Sequence, residues 1–127
     1  MLRHFGIFLT LYVGLFASAS AEPLDAYRTG NSLYLECNQP LITAEGYVSA
    51  AGCREYIIGV VDGMTVIASA HKVNRLFCPP SGVTAGQMTD VVKKYLISKP
   101  ELRHLAASDL VFGALYEAFP CKELQSK

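Results

Sequence analysis

Four cysteines constrain this chain more than anything else in it: Cys37, Cys53, Cys78 and Cys121. In a chain of 127 residues an even count with wide spacing reads as a disulfide framework, provided the protein reaches an oxidising compartment. No pair is spaced Cys-x-x-Cys, which argues against a zinc knuckle and against a thioredoxin-type redox pair. Four cysteines allow three pairings, and the count alone does not choose among them.

The N-terminus supplies the compartment. Met1–Gly6 is short and basic, Ile7–Phe16 is uncharged and apolar, and Ala17–Ala21 is a run of small residues ending in Ala-Ser-Ala. These are the three parts of a cleaved export signal, and the apolar run falls short of the roughly 20 residues that cross a bilayer. The expectation is a signal peptide at 1–21 and a single periplasmic domain at 22–127, with no membrane association after cleavage. Removing Arg3 with the leader leaves the acids one ahead of the bases, and no basic block stands anywhere. Nucleic acid is therefore excluded as a natural partner.

Helical periodicity dominates the domain. Thr29–Cys37 reads as a first helix, and Asn38–Ala51, with Pro40 and Gly46, as a loop. Cys53, Ile57, Val60, Val61, Met64, Ile67 and Ala68 recur at helical spacing and predict a long helix from Gly52 to about Lys72. Gly59 and Gly63 stand on one face of it. Each costs a helix roughly 1 kcal/mol relative to alanine, so the pair predicts a second backbone packed closely there. His71–Gly82 is a connection ended by Pro79-Pro80. Thr84-x-x-Gln87 is a capping box for a third helix, and Ser98-x-x-Glu101 predicts another for the last, which Pro120 ends.

The predicted fold is all-α: a small bundle of four helices, or slightly more, stapled by two disulfides. An up-down-up-down path brings the end of the first helix to the start of the second, and the ends of the second and fourth to one pole. That geometry predicts the bridges Cys37–Cys53 and Cys78–Cys121.

Chemistry is sparse. With all four cysteines paired, no thiolate remains as a nucleophile. No Gly-x-Ser-x-Gly turn is present, and His71 and His104 lack the spacing of a metal site. No catalysis, cofactor or metal is expected. Asp62 lies between apolar neighbours and reads as a partly buried carboxylate satisfied by Arg103, His104 or a tyrosine hydroxyl such as Tyr56. Among the connections, the loop Asn38–Ala51 and the turn His71–Phe77 are the candidates for a partner contact, and the turn combines polar reach with an aromatic anchor in Lys72, Asn74, Arg75 and Phe77. Tyr47, one of several tyrosines near the first helix, is a further candidate for a protein contact.

A larger pattern joins these features. It runs Thr29-Gly30-Asn31, Leu33, Cys37 and Cys53, then Tyr56-x-x-Gly59-x-x-Asp62-Gly63. It continues through Cys78-x-Pro80-x-Gly82-Val83-Thr84-x-x-Gln87, Val91-Val92-x-x-Tyr95-Leu96 and Pro100-Glu101-x-Arg103-His104-x-x-Ala107, and closes on Ala114-Leu115-x-x-Ala118-Phe119-Pro120-Cys121. This resembles the Tai family of type VI amidase immunity proteins, also called the Rap family, from about Tyr27 to Cys121. The resemblance implies a small periplasmic helical protein, often a homodimer, that binds and occludes a peptidoglycan amidase effector delivered by a type VI secretion system. The alternative from another class is a small periplasmic chaperone that opens in acid as its carboxylates protonate.

Overall fold

The structure is a computed structural model and describes residues 27–121. The leader expected at 1–21 and the polar tail Lys122–Lys127 lie outside the described residues. Four α-helices follow one another: α1 (Gly30–Cys37), α2 (Ala44–His71), α3 (Ala85–Ser98) and α4 (Ala107–Ala118), with a single 3₁₀ turn at Pro100–Leu102. No β-strand occurs among the described residues. The bridges are Cys37–Cys53 and Cys78–Cys121, with Cα–Cα separations of 5.1 and 4.9 Å. Fold class and pairing are those that the helix order predicts.

Helix α1 starts with a reciprocal cap. The Thr29 hydroxyl accepts from the Ser32 N–H at 3.4 Å, and the Ser32 hydroxyl accepts from the Thr29 N–H at 3.1 Å. The other first-turn donors find partners across the molecule: the N–H groups of Gly30 and Asn31 donate to the carbonyls of Leu105 and Arg103 at 2.9 and 2.7 Å. The Ala107 N–H donates in return to the Arg28 carbonyl at 2.9 Å. A helix start, normally short of partners, is thereby stitched to the segment before α4. The approach is so close that a Cβ on Gly30 would overlap the Leu110 side chain and the Arg103 carbonyl.

Two boundaries differ from the sequence-based expectation. Helix α2 begins at Ala44 and not at Gly52, so half of the expected loop is helical. Thr43 caps it, its hydroxyl accepting from the Gly46 N–H at 3.1 Å, and Glu45 lies in the first turn where a negative charge is favourable. Gly46, read as a loop signal, is there because the Pro40 carbonyl occupies the space of a side chain. Helix α4 begins at Ala107, without a side-chain cap, and the Ser98–Glu101 box does not form. The Ser98 hydroxyl donates instead to the Tyr95 carbonyl at 3.0 Å. Arg103–Ala106 leaves the helical path because the carbonyls of Arg103 and Leu105 serve α1. At Thr84 the predicted box is present, with Gln87 N–H to Thr84 hydroxyl at 3.2 Å and Thr84 N–H to Gln87 side chain at 2.8 Å.

The core lies where α1, the first half of α2, α3 and α4 meet. Leu33, Ile57, Val92, Leu96, Val111 and Leu115 are sealed from solvent, and no polar or charged residue is buried among the described residues. Helix α2 outruns this core. Its 28 residues span about 42 Å, yet its buried residues end at Ile57, and further along Val66 and Ile67 are 66% and 60% exposed. The helix ends in a Schellman turn: the Lys72 N–H bonds the Ser69 carbonyl and the Val73 N–H the Ala68 carbonyl at 3.1 Å. Lys72 takes the left-handed conformation, φ 53°, that glycine usually fills in such a turn.

Candidate binding surface

The polar cluster expected around Asp62 does not assemble. Asp62 is exposed, because α2 is already leaving the core and the apolar neighbours on either side of Asp62 turn to other faces. Gly59 and Gly63 are exposed too, with no atom of the described residues near the position of an added side chain, so no backbone among the described residues packs on them. His104 is exposed ahead of α4, its Nδ1 2.9 Å from the Glu101 carbonyl.

Arg103 and Tyr56 are half-buried at separate places. The Arg103 guanidinium lies 3.6 Å over the Tyr34 ring, and its Nε and Nη2 donate to the carbonyls of Leu96 and Ile97 at 2.6 and 3.3 Å. It closes the C-terminus of α3, where free carbonyls favour a cation. Tyr56 lies 4.6 Å beneath the Arg28 guanidinium, which also pairs with Glu36 at 3.2 Å. Burial pushes the Tyr56 hydroxyl above its ordinary pKa; Arg28 and a hydrogen bond with Ser108 offset part of this, and Asp109 adds to it. Nothing in the spacing of Arg28, Tyr34 and Glu36 announced these two stacks, which depend on tertiary approach.

The 71–77 turn is split. Lys72, Asn74 and Arg75 are exposed, but Phe77 is 8% exposed and belongs to the core. It is therefore not the projecting anchor that the sequence implied: the neighbouring Cys78 is tied to Cys121, and the Cys78 N–H bonds the Phe119 carbonyl at 2.7 Å, drawing the segment inward. Phe77 instead helps to line an open groove of about 140 Å³ between the second half of α2, the turn and the start of α3. Val61, Met64, Ala68, Leu76 and Met88 form its apolar walls, and Arg75 borders it. Met88 comes from α3 and was legible only as a core position. Tyr47 is exposed in the first turn of α2, about 38 Å along the axis from Lys72, so the structure does not bring it to this groove.

Arg75 is the charged residue that lines the groove, and the exposed Asp62 stands next to the lining residue Val61 on α2. From Gly63 to Thr89 the chain carries no acidic residue, while His71, Lys72 and Arg75 are all exposed and form no ion pair among the described residues. A second groove, of about 290 Å³, runs between α3 and α4 past Tyr95, Ser98 and Ala114. There Lys99 donates to Glu117 at 2.7 Å and lies 4.6 Å over the Tyr95 ring. The bond to Glu117 raises the Lys99 pKa. Among the described residues no three His, Cys, Asp or Glu side chains gather as metal ligands, and no helix is long and apolar enough to cross a membrane.

These features define a small all-α domain, closed by two disulfides, whose distinctive surface is an apolar groove with a cationic rim. The chain belongs to the Rap1a immunity proteins: that family matches residues 29–121, a span that takes in all four helices and both bridges. No curated protein matches the chain. Family membership supports the role of an immunity protein, one that binds a secreted effector.

Proposed function

We propose that this protein is exported to the periplasm, where it binds a peptidoglycan amidase effector of a type VI secretion system and occludes its catalytic cleft. The observation that carries this reading is the family match over nearly the whole described domain. Two closed disulfides suit an oxidising compartment, and the basic, apolar and small-residue leader suits export. In this reading the exposed turn with Lys72, Asn74 and Arg75 meets the effector. Tyr47, at the other end of α2, meets a different part of the assembly.

A second copy belongs to the proposal. Its seat is the outer face of α2, where Gly59, Gly63, Val66 and Ile67 are exposed. In an antiparallel crossing centred on Gly63, Ile67 of one copy faces the bare Gly59 of the other. Sedimentation equilibrium reads this directly: the native protein is expected to be dimeric and Ile67→Glu monomeric.

The functional test is co-purification from the periplasm of the native strain, using a tagged mature protein and mass spectrometry. A stoichiometric small Cys–His amidase, inhibited by the purified protein, is the expected result. A heterogeneous set of unfolded clients would replace the immunity reading with a chaperone.

A further inference from the structure

We infer that the groove under the 71–77 turn receives one large apolar side chain from an acidic segment of the effector, with Lys72 and Arg75 meeting the carboxylates that flank it. The partner's identity as an effector rests on the immunity reading; the chemistry of the occupant rests on the groove itself.

Size comes first. About 140 Å³ of open space is close to the ~150 Å³ of an engineered apolar cavity that binds a single benzene. One phenylalanine- or leucine-sized side chain fits. Two of the lining residues, Met64 and Met88, are flexible and polarisable, and such side chains adapt to whichever apolar group enters.

Charge then selects the flanking residues. The whole stretch from Gly63 to Thr89 is without an acid, and its two cations, Lys72 and Arg75, both stand in the turn beside the His71 imidazole. Of the neighbouring elements, α2 contributes Asp62 beside the lining residue Val61, and α3 contributes Asp90 and Lys93 at its near end; none of the three lines the groove. An acidic segment gains from this rim, whereas a basic one meets like charge as its apolar residue enters.

The backbone at Lys72 is an independent sign. A left-handed residue other than glycine carries backbone strain, and such conformations cluster at binding sites. Glycine would relieve the strain but remove the cation. Keeping lysine there trades stability for a charge in the exposed turn, three residues from the groove-lining Arg75.

The test uses the mature protein, labelled for amide NMR, and three blocked pentapeptides: Asp-Glu-Phe-Glu-Asp, the same with serine in place of phenylalanine, and Lys-Lys-Phe-Lys-Lys. The acidic phenylalanine peptide is expected to give saturable shifts at Ala68, Leu76 and Met88, and the other two none. Arg75→Glu, at an exposed position, weakens that binding at least about tenfold. Ala68→Phe, which fills the groove, abolishes it, and Lys72→Gly raises the melting temperature while weakening it. Equal shifts with the lysine peptide, no saturable shifts, or shifts mapping elsewhere overturn the inference. So do groove shifts caused by deleting residues 122–127 in the absence of peptide, which would make the chain's own tail the occupant. Co-purification separates this from the immunity reading. An amidase captured equally by native protein, Arg75→Glu and Ala68→Phe removes the groove and leaves the function. Peptide binding with no amidase recovered removes the function and leaves the groove.

Discussion

Gly30 and Tyr56 show what single residues contribute. At Gly30 the constraint is space: α1 and the segment before α4 approach until only a hydrogen atom fits between them. Gly30→Ala forces two backbone segments apart and is expected to cost about 1–3 kcal/mol, the usual range for overpacking, in a urea denaturation series with an unchanged slope. At Tyr56 the constraint is electrostatic. Burial raises its pKa, so the folded state holds the phenolic proton more tightly than the unfolded chain does. The stabilisation is fully present below the ordinary tyrosine value of about 10 and disappears as pH rises through the higher folded value. Lys99, raised mainly by its bond to Glu117, acts in the same direction at the surface. The melting temperature is therefore expected to fall above about pH 10, and Tyr56→Phe to fall less steeply over that range than the native protein.

Between elements, the decisive contacts are the ends of helices. Arg103 reaches back to two carbonyls of the last turn of α3 while stacking on Tyr34 of α1. Arg103→Gln is expected to cost about 1.5–3 kcal/mol, the range for hydrogen bonds to a charged group. Amide exchange should accelerate first in the last turn of α3. Helix ends also explain which parts of the fold the sequence made legible. The Thr84–Gln87 box could be read because both partners lie three residues apart, and the disulfides because helix order alone puts their cysteines at common poles. The start of α2 was missed because Thr43 has no glutamate or glutamine three residues on, and because Gly46 marks a close packing and not a break. The start of α4 was missed because its determinant, the N-terminus of α1, is remote in sequence. At the candidate binding surface, composition singled out Lys72, Asn74 and Arg75. The inward turn of Phe77 and the arrival of Met88 depend on the Cys78–Cys121 bridge and on α3. Asp62 was misjudged for a related reason: periodicity shows which residues share a face, but not where a long helix runs out of neighbours.

At the scale of the whole molecule, stability rests heavily on the two bridges. Their loops close over 16 and 43 residues, and chain entropy assigns them about 3 and about 4 kcal/mol. Replacing Cys78 and Cys121 together with serine is thus expected to lower unfolding free energy more than replacing Cys37 and Cys53. Against a total of about 5–15 kcal/mol for such a domain, either loss is large. The order of the bridges has a further consequence. The two covalent rings are consecutive and do not interlock, so the molecule is a dumbbell whose only bar is residues 54–77. A peptide bond cut inside either ring leaves one covalent body, but a single cut in the bar leaves two. Lys72 and Arg75 stand in that bar and are exposed, so limited trypsin followed by a non-reducing gel should yield two separate pieces. The groove rim is also the seam at which one cut parts the two disulfide rings, and a partner seated there would shield it.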